Sequence, residues 1–256
     1  MGQIFNPPAG FKLPLVREAA ALVQNAYEQF AQGPNWHIKP GYDLLTILHA
    51  RPEGWFAKDE RFGFVAQNQT SGAVFVTFRG TESPEDWVSN ITFPQVTHPW
   101  GMAEKGFSLL YDQCSAAVKQ AVAAANPAHL YVTGHSLGAA LATLATADLT
   151  IANHAPAMYN FASPRTGNIG FATTFDQRVA DKWRVANTED LVTTVPLATL
   201  ELASVHANEL RMIFALATHL GNRLTFQHVG VPVPFTTNNG TILDNHKMDT
   251  YIAALS

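Results

Sequence analysis

The stretch that most restricts what this chain can fold into is Gly134-His135-Ser136-Leu137-Gly138, because of what lies on either side of it. Before it, His129 to Thr133 is a short β-branched and aromatic run, and after it Leu137 to Asn153 is an alanine-rich helical stretch. A strand that turns into a helix within one or two residues needs small residues flanking the turn, since the helix then passes close to the neighbouring strands. Gly134 and Gly138 meet that need, and Ala139, Ala140 and Ala142 extend the tolerance for close approach. Such a turn lifts the serine hydroxyl clear of the sheet, at the positive end of a helix dipole that favours developing negative charge.

Around this elbow, strand-like and helical segments alternate. Pro14 to Gln32 reads as an amphipathic helix that Gly33-Pro34 stops, and Phe62 to Gln67 with Ala73 to Phe78 reads as a hairpin around the polar turn Asn68 to Gly72. Gly106 to Asn126 is helical, and further strand-like runs lie at Ala157 to Ala162, Lys182 to Ala186 and Phe226 to Val229. Strands separated by helices predict an α/β fold with a largely parallel central sheet flanked by helices, and ligands of such sheets bind at the carboxyl ends of the strands. At 256 residues, with no repeat, no low-complexity tract and no Gly/Ser linker, the chain reads as one domain over residues 1–256.

Composition excludes several functions. A formal net charge of −4 with sparse charged residues gives no basic footprint for nucleic acid. No apolar run is long and clean enough to span a bilayer. The lone Cys114 can close no intrachain disulfide and, in its alanine-rich helical setting, reads as a buried structural thiol. No cluster with metal-ligand spacing stands out, so neither metal nor organic cofactor is expected. Met1 to Phe11 has neither the basic nor the apolar region of a secretory leader; at face value this places the chain in the cytoplasm, or outside the cell if a leader has been removed.

An activated serine needs a base, and the base an orienting acid; in an elbow-bearing sheet they follow in the order Ser, Asp or Glu, His. Of the histidines after Ser136, His246 follows the loop Thr236 to Asn245, where a base could reach the elbow, whereas His228 and His219 sit inside regular patterns and read as structural. For the acid, Asp190 follows the strand at Lys182 to Ala186, with Glu189 and Asp181 as competitors. An oxyanion hole would take one amide from Leu137 and a second from the turn Phe78-Arg79-Gly80-Thr81 at the end of a strand.

These residues lie among others that resemble the class 3 (fungal-type) lipases of the α/β-hydrolase superfamily. The markers are Phe-Arg-Gly-Thr at 78–81, Glu-Asp-Trp-Val-Ser-Asn-Ile at 85–91, Gly-Phe at 106–107, Gly-His-Ser-Leu-Gly-Ala-Ala-Leu-Ala at 134–142 and Phe-Ala-Ser-Pro-Arg-Thr-Gly-Asn at 161–168. Asn-Thr-Glu-Asp-Leu-Val at 187–192, Pro196 and Asn-His-Lys-Met-Asp-Thr-Tyr at 245–251 complete the set in the expected order. The resemblance implies Ser136 as nucleophile, Asp190 as acid and His246 as base, with Thr81 and Leu137 in the oxyanion hole. It also implies a short lid helix at about 82–93, whose Trp87, Val88 and Ile91 would form an apolar face for a lipid surface.

Two features depart from that family. Glu104 stands where members often carry a histidine, two residues before Gly106. The segment from Leu197 to Leu224 is long, with an apolar run from Met212 to Ala217, and reads either as a roof over an acyl pocket or as a packed helix; Glu201, His206, Glu209 and Arg211 keep it from being a membrane span. The implied activity is hydrolysis of carboxylic esters, foremost triacylglycerols at an oil–water interface, with a phospholipase A1 or a short-chain esterase using the same residues. A lipid-binding protein that kept the fold without catalysis is the reading from another class, and the full set of triad and hole residues argues against it.

Overall fold

A computed structural model gives the fold, with residues 7–51, 60–81, 94–196 and 225–256 described. Helix α1 (Leu13–Gln32) opens with Pro14 in its first turn and ends on Gly33 at positive φ. The strands β1 (Tyr42–Ala50), β2 (Glu60–Asn68) and β3 (Val74–Phe78) form an antiparallel meander, and the turn between β2 and β3 is held by Asn68 Oδ1, which accepts from the amides of Thr70 and Ser71. A separate hairpin, β4 (Gln95–His98) with β5 (Gly101–Glu104), leads into α2 (Lys105–Ala125). From there β6 (Leu130–His135), α3 (Leu137–Ile151), β7 (Ala157–Phe161), α4 (Ile169–Arg178), β8 (Lys182–Asn187) and β9 (Val231–Phe235) follow, and the chain closes with α5 (Ile242–His246) and α6 (Met248–Ala254).

The main sheet has seven strands in the order β1-β2-β3-β6-β7-β8-β9, parallel from β3 onward. Both faces are covered, and the two-residue period of the strands divides their side chains between two layers. In β3, Val74, Val76 and Phe78 join a core with Phe107, Val118, Leu141 and Leu144 from α2 and α3, while Phe75 turns to the opposite face with Leu22 and Ala26 of α1. Further along that second face, Val16, Ala19 and Val23 of α1 meet Tyr159, Val185 and Phe235 from the strands and Tyr251 from α6. Burying each large apolar side chain in these layers contributes about 1.5–3 kcal/mol. Helix α3 is buried nearly all round, which its small residues permit.

The hairpin, the first helix and the strand–elbow–helix unit lie where the sequence patterns put them. One strand does not. Phe226 to Val229 makes only an isolated bridge at Gln227 to Gly167, and the final strand is the next segment, Val231–Phe235. Pro232 and Pro234 disguise it, since proline is excluded from interior strands; here both stand on the outer edge of β9, while Phe235 faces β8 and its carbonyl accepts from Thr188 N at 2.9 Å. The strands β1, β4 and β5 lie outside the runs that read as strands from the sequence. Among the described residues no helix is long and apolar enough to cross a membrane.

Candidate active site

Ser136 sits between β6 and α3 at φ 57° and ψ −129°, a conformation that few non-glycine residues adopt. The glycines around it are required by backbone contact. A Cβ on Gly138 would lie 2.2 Å from the carbonyl oxygen of Arg79, and one on Gly134 would lie 2.2 Å from that of Gly138. The hydroxyl of Ser136 is buried and has no hydrogen-bond partner among the described residues. Leu137 is the first residue of α3, so its N–H belongs to the set that a helix cannot satisfy internally.

Pressed against this elbow is the turn that follows β3. A Cβ on Gly80 would lie 2.8 Å from the Ser136 Cβ, so loop and elbow are in contact. Arg79 fixes the turn from behind: its guanidinium is buried, donates to the carbonyls of Arg61 (2.8 Å) and Gly80 (2.6 Å), pairs with Glu60 at 2.7 Å and stacks between the rings of Phe30 and Phe62. This places Thr81 on a cavity of about 330 Å³ that Tyr27, His135, Leu243, His246 and Met248 also line.

His246 ends α5 and faces Asp190, the residue that caps the 3₁₀ turn Leu191–Thr194. Asp190 is fully buried, and three donors converge on its carboxylate: His246 Nδ1 at 2.8 Å and the Tyr251 hydroxyl at 2.6 Å on Oδ2, and Val192 N–H at 2.9 Å on Oδ1. The tautomer follows: with Nδ1–H given to Asp190, Nε2 carries the lone pair of the imidazole, and it too is buried, without a partner among the described residues. Burial and the adjacent Asp190 hold the Tyr251 phenol far above its ordinary pKa, so it stays a donor. Asn187 ties the loops together. Its Nδ2 donates to the carbonyls of Thr237 (2.8 Å) and Asn245 (3.1 Å), and its Oδ1 accepts from Thr237 N–H at 3.0 Å.

Two further side chains join these parts. The Tyr27 hydroxyl, on α1, lies 2.7 Å from His135 Nδ1 and accepts from Gly80 N–H at 3.0 Å. His135 Nε2 lies 2.8 Å from the carbonyl oxygen of His246, and the two imidazoles are in contact, tilted at 39° with centroids 4.7 Å apart. Burial, then the neighbouring His246, push the His135 pKa well below the ordinary histidine value, so this ring is neutral. A neutral ring facing a carbonyl through Nε2 must carry its proton there, which leaves Nδ1 to accept from Tyr27.

Ser136, His246, Asp190, Leu137 and Thr81 are thus gathered around one end of the sheet. Trp87, Val88 and Ile91, with the segment at 82–93, lie outside the described residues, as does the segment at 197–224. Glu104 is buried and caps α2, its Oε2 accepting from Phe107 N–H at 2.7 Å. His228 stands off the site with Nε2 on the carbonyl of Thr193 at 2.8 Å, and burial pushes the Cys114 thiol up to about 12, far from a reactive thiolate. Among the described residues no group of His, Cys, Asp and Glu is arranged to hold a metal. Tyr27, Tyr251, Asn187 and the structural use of His135 escaped the sequence reading, although His135, Asn187 and Tyr251 lie within its quoted motifs.

Residues 75–200 match the family model for lipase (class 3). A secreted mono- and diacylglycerol lipase A of Penicillium cyclopium is 37% identical over 155 residues, which is 57% of this chain and 50% of that protein. A chloroplastic phospholipase A(1) of Arabidopsis thaliana is 32% identical over 202 residues, covering 65% of this chain and 45% of its own. The chain therefore spans about half the length of the curated relatives it matches. Among solved structures, a Rhizomucor miehei lipase propeptide complex aligns with a TM-score of 0.65 at 19% identity, covering 90% of this chain and 70% of that one, which shows the α/β-hydrolase fold.

Proposed function

From the match of residues 75–200 to the class 3 lipase model, we propose that the chain is a class 3 lipase and a serine carboxylic-ester hydrolase, most specifically a triacylglycerol lipase, built as a single domain over residues 1–256. One observation carries this reading: a strained elbow holds a buried Ser136 hydroxyl, unpartnered among the described residues, next in sequence to His135, whose ring and Nε2 meet His246, and His246 in turn commits Nδ1 to the buried Asp190 and keeps Nε2 uncommitted among those residues. Ser136 Oγ attacks the ester carbonyl as His246 Nε2 takes its proton. Asp190, held by Tyr251 and Val192 N–H, keeps the imidazole in the tautomer that permits this and stabilises the imidazolium that forms. The amides of Leu137 and Thr81 receive the negative charge of the tetrahedral intermediate. The imidazolium then protonates the departing alcohol, and water, activated by His246, releases the acyl group from Ser136.

The substrate class rests on the relatives and on sequence pattern. The Penicillium relative is named for mono- and diacylglycerols and the Arabidopsis one for phospholipids, so the acid–base residues serve any acyl ester that enters. Ser136 has no solvent exposure, so a covering group must move before an ester reaches it; the apolar residues Trp87, Val88 and Ile91 make the segment at 82–93 our choice for that cover, responsive to an oil–water interface. The Penicillium relative is secreted by name, and action outside the cell is part of the same proposal.

The test is Ser136→Ala assayed on a p-nitrophenyl ester and on emulsified triacylglycerol. It should lower kcat by at least about 10³-fold with an unchanged unfolding midpoint. Activity near that of the unsubstituted protein would sink the assignment. A phospholipid emulsion run in parallel separates lipase from phospholipase.

A further inference from the structure

The link between Gly80 and His246 runs through two side chains that take no part in the proton transfers above. Read in the donor direction, Gly80 N–H donates to the Tyr27 hydroxyl, Tyr27 O–H donates to His135 Nδ1, and His135 Nε2–H donates to the main-chain carbonyl of His246. Each end of the chain lies one step from a group that chemistry needs. Gly80 precedes Thr81, and the carbonyl it reaches is that of the base itself. From this geometry we propose that Tyr27 and His135 are positioning residues, forming a relay that sets the oxyanion-hole loop and the His246 backbone in register with Ser136.

The relay rests on the ester-hydrolase reading, since it acts only through that chemistry. Three observations distinguish it from ordinary core packing. Through one hydroxyl Tyr27 both donates to the elbow residue His135 and accepts from the loop at Gly80. There is no slack around it: a Cβ at Gly80 would come within 2.5 Å of the Tyr27 hydroxyl and 2.8 Å of the Ser136 Cβ, so a shift in one is transmitted to the others. His135 also adjoins Ser136 in sequence and packs against the His246 ring at 4.7 Å between centroids, so it meets the base through both its hydrogen bond and its ring. The burial that keeps His135 neutral fixes the direction of the chain, because a protonated ring would donate at both ends and turn Tyr27 away.

A donor that is present but misplaced costs rate without costing substrate affinity. Tyr27→Phe removes the central hydroxyl and leaves the ring in place. With a soluble p-nitrophenyl ester, and with active sites titrated by an organophosphate, kcat should fall about tenfold while KM stays within about twofold. The inhibition constant of an alkyl boronic acid, which mimics the tetrahedral state, should rise in step with the loss in kcat. His135→Gln keeps a donor near the His246 carbonyl but offers Tyr27 no ring nitrogen, so its loss should overlap that of Tyr27→Phe and the double variant should sit within about twofold of the poorer single. A kcat for Tyr27→Phe within about twofold of the unsubstituted protein, or a fall in kcat with unchanged boronate binding, overturns the relay. If the unsubstituted protein hydrolyses no ester, the ester-hydrolase reading fails first; if it does and Tyr27→Phe matches it, the relay alone fails.

Discussion

The two sides of the site are held by different forces. On the nucleophile side, β6, the elbow and α3 are placed by main-chain contact: Gly134 and Gly138 lie where a single added carbon would meet a backbone oxygen at 2.2 Å, and Ser136 is locked at positive φ. On the acid–base side no such contact dictates the geometry. Asn187 and Asp190 come from the end of β8 and the turn after it, His246 from the end of α5 and Tyr251 from α6, and they meet through hydrogen bonds between residues some 56 to 64 positions apart. A backbone lock either forms or fails, whereas a hydrogen-bonded network can lose one member and keep its shape. Substitutions on the two sides should therefore separate fold from rate.

The largest effect is expected at Gly138→Ala. Its new carbon has only backbone atoms to displace, so the cost should reach about 4 kcal/mol or more, above the usual range for overpacking. Denaturant unfolding measures it, and a midpoint equivalent to less than about 1 kcal/mol of loss would show that the elbow is softer than its contacts imply. Tyr251→Phe probes the other side. Removing one of three donors to a buried carboxylate should reduce kcat about tenfold, with a stability loss of about 1–3 kcal/mol and a fold that still unfolds cooperatively. Unchanged kcat would mean that Val192 N–H and His246 suffice to hold Asp190.

Acid should produce the most gradual change. Burial and the nearby guanidinium groups of Arg184 and Arg165 push the His228 pKa down to about 3, and His135 is likewise lowered. Below about pH 6.5 the unfolded chain takes up protons that these folded-state rings refuse, so stability falls as pH drops, by about 1.4 kcal/mol per pH unit for each ring. For His228 that loss continues down to about pH 3. Urea midpoints at pH 7.5 and pH 5 test the sign. His228→Gln should flatten the slope by one histidine's share, and an unaltered slope would assign the whole effect to other groups.

How much of this was legible in sequence follows the same division. The elbow is local: five residues with a strand before and a helix after imply their own geometry, because the constraint acts between neighbours. The hairpin at β2 and β3 was legible for the same reason, its turn chemistry being contained in Asn68 to Gly72. The acid was not legible from spacing, by which Asp190, Glu189 and Asp181 are equivalent; the family resemblance singled out Asp190. In the structure Asp190 meets His246, whereas Asp181 binds Tyr159 and Glu189 faces Asn238 at the surface. Tyr27 lies 108 residues from its partner His135, and nothing in an amphipathic helix distinguishes a tyrosine that packs from one that also donates. Strand β9 was missed because its prolines obey a rule about edges, and which strand is an edge is a property of the finished sheet.

Those prolines have a consequence for how copies of the chain meet. An open sheet presents two rows of unsatisfied backbone groups, each a template for strand addition by another molecule. On β9, Pro232 and Pro234 occupy the outward-facing positions, so that rim has carbonyls but no N–H groups over its central residues and cannot complete a ladder with an incoming strand. The far rim, β1, is interrupted instead by two register shifts, between Leu44 and Thr46 and between Leu48 and His49, which spoil a continuous template beside the exposed Leu44 and Leu45. The sheet thus carries a guard against polymerising with its own kind, built from imino acids at one end and from irregular pairing at the other.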